Sequence, residues 1–168
     1  AYPPLRPFAG GCILVLAFWF LPLSEYEGLG VPTIVDSFTN TSEWSTFLLK
    51  ILFTTFTLGA GFKGGEVTPL FFIGATLGSA LSMIVPLPMA LLAGMGFVAV
   101  FSGATHTPIA CTVMGLELFG IECGIFVGLA CIIAYFASGS VGIYESQIVK
   151  GPKFHLYKKL SKNELKNL

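Results

Sequence analysis

The chain has 168 residues, of which 54% are hydrophobic and only 11% charged, and its nine basic and nine acidic side chains cancel. With a mean hydropathy of +0.82, this composition excludes an ordinary soluble domain and points to an all-α, multi-pass protein of the lipid bilayer. The charge pattern argues against a nucleic-acid partner. No Lys or Arg falls between Lys63 and Lys150, and six of the nine basic residues crowd into Lys150–Lys166, as positive-inside anchoring of a cytoplasmic tail would have it.

In chain order, Tyr2–Pro7 is a proline-rich lead-in and Phe8–Leu23 a first apolar helix. The chain opens at Ala1 with neither an initiator Met nor a signal peptide, and is expected to be a piece of a longer protein. Residues 24–43 hold Glu25, Glu27, Asp36 and Glu43 with Gly28, Gly30 and Pro32, which predicts a loop with one short helical turn. Thr41–Ser42–Glu43 then offers caps for a helix from Trp44 to about Leu58. Lys50 lies inside that helix, where a charge at membrane depth must face protein or a wet cavity. Both a structural role, paired with a carboxylate or snorkelling, and a transport role fit it.

Gly59–Pro69 interrupts the apolar pattern with four glycines, Lys63, Glu66 and a Thr68–Pro69 step. Irregular backbone at membrane depth survives only where it lines a cavity or is buried in protein. Thr68 reads as an N-cap and Pro69 as the first helical residue, followed by a helix over Leu70–Val85. Its free N–H groups and positive dipole end would suit an anion. Small residues at Gly74, Ala75, Gly78, Ser79 and Ala80 predict close helix packing.

Pro86–Pro88 turns the chain into a helix over Met89–Phe101. Ser102–Pro108 reads as a second break ending in Thr-Pro, followed by Ile109–Phe119, a separator at Gly120–Glu122 and a helix over Ile125–Ala137. Ser138–Gly142 is a third break and Ile143–Tyr157 a last, amphipathic helix. Several of these segments fall short of the roughly 20 residues a crossing needs, so partial or tilted helices are expected. Counting seven segments with a cytoplasmic tail puts Ala1 outside and the 24–43 loop inside. The four cysteines, Cys12, Cys111, Cys123 and Cys131, lie in apolar runs without a CxxC pair and read as small buried hydrophobes.

The candidate anion-binding groups are the Thr68 hydroxyl, the amides after it, the ring edges of Phe71 and Phe72, and the Tyr144 phenol after the third break. Each could also be an ordinary cap or a buried aromatic. Glu66 is the most informative acid. A carboxylate beside an anion makes electrostatic sense if it carries a proton while the anion is bound, which is the logic of proton coupling, or if it pairs with Lys63. Glu117, in Gly115–Leu118, reads as a structural carboxylate. A rival class is an intramembrane hydrolase built on Ser102 and His106, although no nucleophile-elbow pattern surrounds the serine. A further alternative is a non-transporting membrane fragment.

Gly64–Gly65–Glu66–Val67–Thr68–Pro69 opening a helix, then Gly74 and Leu77–Gly78, resembles the second half of the CLC chloride channel and anion/proton antiporter family. Phe97–Pro108, Leu116–Glu117 and Ser138–Tyr144 are similar to segments of the same family, and the resemblance covers nearly all of residues 5–157. It implies a fold of two inverted halves with broken, tilted helices, anion-site helix N-termini and a dimeric assembly. The chain would supply the second half and terminal helix over 1–157, with a basic tail over 158–168. The first half, with its serine- or methionine-bearing filter loop and gating glutamate, would be a missing partner. Chloride-handling members have Gly-x-Phe-x-Pro at the filter, whereas Val67 stands here in place of that Phe, between Glu66 and Thr68. This resembles the fluoride-exporting branch, which exchanges fluoride for protons. There, the residues matching Glu66, Thr68 and Tyr144 are associated with proton coupling and fluoride contact. The resemblance thus implies an anion transporter, not an enzyme, most in keeping with a fluoride/proton antiporter and alternatively a passive voltage-gated chloride channel. It implies an integral bacterial inner or plasma membrane protein. Val67 and Phe71 join Thr68 and Tyr144 in the implied anion contact, with Lys50, Lys63 and Glu117 as structural charges.

Overall fold

The structure is a computed structural model that describes residues 5–20, 24–139 and 141–144. These residues are helical throughout their regular parts: α1 (Leu5–Phe20), α2 (Val31–Asp36), α3 (Trp44–Gly59), α4 (Val67–Leu81), α5 (Met89–Thr105), α6 (Pro108–Phe119) and α7 (Gly124–Ala137), with 3-10 turns at Ser24–Tyr26 and Ile121–Cys123. The expected last helix over 143–157 and the basic tail over 158–168 lie outside the described residues, except that Ile143 and Tyr144 are described and are not helical.

Among the described residues no helix is long and apolar enough to cross a membrane. The longest, α5, has 17 residues, which at ~1.5 Å per residue falls short of a bilayer core about 30 Å thick.

The chain divides within α5, into a unit ending at Phe97 and a unit starting at Val98. In the first unit α3 packs on α4, and α2 also lies on α4. Phe72, Ala75 and Ile34 form the buried centre, with Tyr26, Phe38, Phe71 and Phe97 packed around it. The small residues of α4 do what their spacing predicts. A β-carbon at Gly74 would run into the Gly96 carbonyl, and one at Gly78 into the Leu92 carbonyl, so backbone meets backbone where α4 crosses the start of α5. Ser79 binds the preceding loop to this layer: its hydroxyl donates to the Asn40 carbonyl and accepts from the Ser42 amide, both at 3.0 Å. The helix α1 rests on α3 and the turn after it, with Gly10 against Ala60 and Phe18 stacked on Phe53 at 5.2 Å.

In the second unit α6 and α7 form a hairpin around the Ile121–Cys123 turn. Thr112 meets Gly128, Gly115 meets Val127 and Leu116 meets Gly124, so residue numbers fall on one helix as they rise on the other, which is antiparallel packing. The final turns of α5 close on α7. The Ser102 hydroxyl donates to the Cys131 carbonyl at 3.1 Å, and a β-carbon at Gly103 would stand 3.2 Å from the Ala134 carbonyl oxygen.

Two boundaries differ from those expected of the sequence. The second break is not Ser102–Pro108 but His106–Thr107 alone, because α5 runs on to Thr105. Gly103 does not interrupt the helix; it is the point of close approach to α7. The helix α4 starts at Val67 and not after Thr68. Pro69 is tolerated at the third helical position because first-turn N–H groups have no intrahelical acceptor to lose. The expected single turn within 24–43 is two, a 3-10 turn at Ser24–Tyr26 and the short α2.

Candidate functional site

The Gly59–Pro69 interruption survives as loop and turn from Ala60 to Gly65, between α3 and α4. Gly61 takes a φ of 93°, a conformation that favours glycine. A side chain at Gly61, Gly64 or Gly65 would meet no atom within 4 Å, so these glycines leave open space along the loop instead of filling it.

Glu66 occupies the N-cap position of α4 in a helical conformation, without a capping bond from its side chain. Its carbonyl accepts the Leu70 amide at 3.4 Å. Val67 and Thr68 are therefore the first two helical residues, and Thr68 is not the cap the sequence suggests. The first turn presents the amides of Val67 and Thr68, Pro69 having none. Glu66, Val67 and Thr68 are all partly exposed. A hydroxyl donor on a positive helix end beside a carboxylate can hold a small anion when the carboxylate is neutral, and repels it when charged.

Phe71 falls in the second turn of α4, and its ring is stacked flat on Phe97 with centroids 4.1 Å apart and planes 2° apart. One face of that ring is therefore committed to the packing of α4 on α5. Phe72 is fully buried.

Lys50 is buried to 3% exposure. Its Nζ donates to the carbonyls of Tyr26 and Gly28, each at 3.1 Å, and lies 4.7 Å from the centre of the Phe72 ring. The partners are therefore backbone carbonyls and an aromatic face where the sequence suggested a carboxylate. Lys50 lines a pocket of about 400 Å³ with Thr54, Thr57, Gly64, Gly65 and Pro69, which brings α3 and the glycine loop to one cavity. Thr54 and Thr57 were not singled out from the sequence. The signal was there, since Lys50, Thr54 and Thr57 are spaced i, i+4, i+7 on one helix face. Tyr26 also lines this pocket, and its phenol is pushed above its ordinary pKa, chiefly by burial, with a hydrogen bond to the Thr46 side chain acting the other way.

Lys63 and Glu117 are exposed, the first on the loop and the second near the end of α6. Tyr144 belongs to the second unit and is 47% exposed. The backbone just before it is anchored by the Ile143 amide, which donates to the Ala104 carbonyl at 3.0 Å. Ser102 and His106 face different partners. The Ser102 hydroxyl is given to the Cys131 carbonyl, while His106 Nδ1 lies 3.5 Å from the Ser138 hydroxyl. A nucleophile needs its base within hydrogen-bond reach, and here the serine proton is directed into helix backbone. Cys111 and Cys131 are buried as expected, whereas Cys12 is exposed and Cys123 intermediate, its thiol donating to the Gly120 carbonyl at 2.9 Å.

Residues 1–139 match the voltage gated chloride channel family. The chain belongs to the CLC family of voltage gated chloride channels. A chloride/fluoride channel protein of Pseudomonas syringae pv. tomato is 51% identical over 160 residues, which cover 92% of this chain and 35% of that protein. A voltage-gated ClC-type chloride channel, ClcB, of Salmonella typhimurium is 32% identical over 146 residues, covering 79% and 34%. Among solved structures, the crystal structure of a CLC-type fluoride/proton antiporter superposes with a TM-score of 0.75 and 43% identity over 81% of this chain and 35% of that one. The likeness to the CLC fold and to its fluoride branch, expected of Glu66–Val67–Thr68, is borne out by these matches. CLC proteins are integral to membranes, which accords with the composition. The chain spans about a third of the length of the relatives it matches.

Proposed function

We propose that this chain is the second half of the membrane domain of a CLC-type anion transporter, and that the complete protein exchanges fluoride for protons. The observation that carries the reading is the start of α4. A carboxylate, Glu66, stands at the N-cap, and a hydroxyl, Thr68, follows on the first turn, next to Val67, which stands where chloride-handling members carry Phe. Fluoride is a small, strongly hydrated hydrogen-bond acceptor. Replacing its water requires donors, and an O–H beside free backbone N–H groups supplies them. Val67 and the Phe71 ring line the anion's apolar side in this reading. Glu66 carries the exchanged proton: neutral, it admits the anion; charged, it expels it. Tyr144 is proposed as a second anion-contacting donor. Lys50 acts as a structural charge that fixes the Tyr26–Gly28 turn to α3, and Lys63 and Glu117 are structural as well. The likeness to the chloride/fluoride channel protein of Pseudomonas and to the fluoride/proton antiporter supports fluoride.

The remaining parts of the proposal follow the charge pattern and the family. The protein is multi-pass in a bacterial inner or plasma membrane, the lysine-rich end is cytoplasmic, the first half of the domain completes the site, and the assembly is a homodimer. The exposed apolar surface of α6, α7 and the turn between them, including Ile109, Ile121 and Ile125, fits burial against lipid or a second copy.

Passive chloride conduction is the second reading, supported by the family description and by the ClcB relative. The deciding experiment is anion efflux from liposomes carrying the complete protein, fluoride against chloride, with a simultaneous proton readout. Fluoride preference with obligatory proton movement is expected. Chloride flux without protons would sink the exchange reading.

A further inference from the structure

His106 lies in the left-handed backbone region, with φ at 58°, although it carries a β-carbon and is buried to 8% exposure. A residue is held in that conformation by its surroundings, and here the surroundings are the segment that leads to Tyr144. The imidazole is edge-on to Tyr135, with centroids 6.1 Å apart and planes at 86°. Its Nδ1 is 3.5 Å from the Ser138 hydroxyl. Gly142 is pressed against the same ring: a β-carbon there would stand 2.9 Å from Cδ2, 3.0 Å from Nε2 and 3.1 Å from the Ala104 carbonyl oxygen. That carbonyl accepts the amide of the next residue, Ile143, at 3.0 Å. Tyr144 follows directly. The left-handed turn therefore does two things. It ends α5 at Thr105, and it turns an imidazole onto Ser138 and Gly142, so that only a residue without a side chain fits at 142.

We infer that His106 is a positioning residue for Tyr144. Its ring and Gly142 together form a seat that fixes the backbone of Ile143, and through it the place from which the Tyr144 phenol meets the anion. The inference rests on the reading of Tyr144 as an anion donor, and nothing in it requires His106 to touch the anion. A displacement of about 1 Å in a positioned donor is enough to lose much of its effect, so a ring that sets the backbone one residue away has leverage on affinity.

The test uses the complete protein with His106→Asn, which tolerates the left-handed region but lacks the ring, and with Tyr144→Phe and the double variant. Two quantities are read: amide hydrogen exchange of the peptide containing Ile143, and fluoride flux as a function of fluoride concentration. In His106→Asn, exchange at Ile143 is expected to accelerate about tenfold, as for the loss of a modest stabilising contact. The half-saturating fluoride concentration should rise while maximal flux holds. In the Tyr144→Phe background, the same histidine change should add no further flux defect. Gly142→Ala attacks the seat from the other side and should reproduce both effects, so the test stands even where His106→Asn fails to assemble. Unchanged exchange at Ile143, or an equal flux loss with and without the Tyr144 hydroxyl, would overturn the inference. A silent Tyr144→Phe would instead overturn the anion-donor reading on which it rests, and would do so whatever the exchange data showed.

Discussion

Lys50 and Phe72 stand together in the first unit, the ammonium 4.7 Å from the centre of a fully buried ring. The two carbonyls that accept from Lys50 belong to residues 22 and 24 positions earlier in the chain. One cation thus joins α3, α4 and the turn after α1. A charge this deep is tolerated because its donors are satisfied and because an aromatic face is attractive to a cation.

Lys50→Met keeps the length of the side chain and removes the donors. Two part-buried carbonyls then lose their charged partner, and a loss of about 1–3 kcal/mol is expected. Thermal unfolding in detergent should show a lower midpoint for Lys50→Met and a smaller drop for Lys50→Arg. An unchanged midpoint in both would mean that the Tyr26–Gly28 turn is held by something else.

The glycine contacts between α4 and α5 give a contrast within one unit. Gly78→Ala drives a methyl group into the Leu92 carbonyl, and overpacking of this kind costs on the order of 1–3 kcal/mol. Gly59→Ala, at the end of α3, meets nothing within 4 Å and should be neutral or slightly stabilising. Equal effects from the two changes would remove the close backbone approach as the reason for glycine at 78.

At the start of α4, Glu66→Gln keeps the shape and abolishes the proton exchange. Proton movement should fall by at least about tenfold while anion binding persists. Thr68→Val removes only the hydroxyl donor, and fluoride affinity should fall about tenfold, the scale of a lost hydrogen bond to a charged acceptor. Chloride flux in Thr68→Val should change far less. Proton-coupled flux that survives Glu66→Gln would transfer the coupling role to another group.

Ser102→Ala separates the transport reading from a hydrolytic one. The hydroxyl bonds the Cys131 carbonyl, so the change should lower stability by about 1 kcal/mol and leave fluoride flux intact. Loss of flux in a variant that still folds would give the serine a role that its hydrogen bond does not suggest.

What could be read from the chain alone was whatever depends on near neighbours. Long apolar runs, Gly and Pro punctuation and the lysine cluster announced helices, their interruptions and a membrane protein. Trp44 and Met89 were placed as helix starts, and Phe119 and Ala137 as helix ends, to the residue. The glycine spacing on α4 announced close packing, and Glu66–Val67–Thr68 announced the branch of the family. What the tertiary structure decided were the partners of single groups. Thr68 was a credible cap by itself, but α4 starts before it, because a helix gains a turn wherever packing rewards one and proline in the first turn does not forbid it. Gly103 looked like a break and is a contact. Ser102 and His106 lie four residues apart in sequence, yet one is given to α7 backbone and the other to Ser138 and Gly142. Hydrogen-bond partners drawn from 29 or 32 residues away are set by which surfaces come together, and that is a property of the packed chain, not of any local stretch of it.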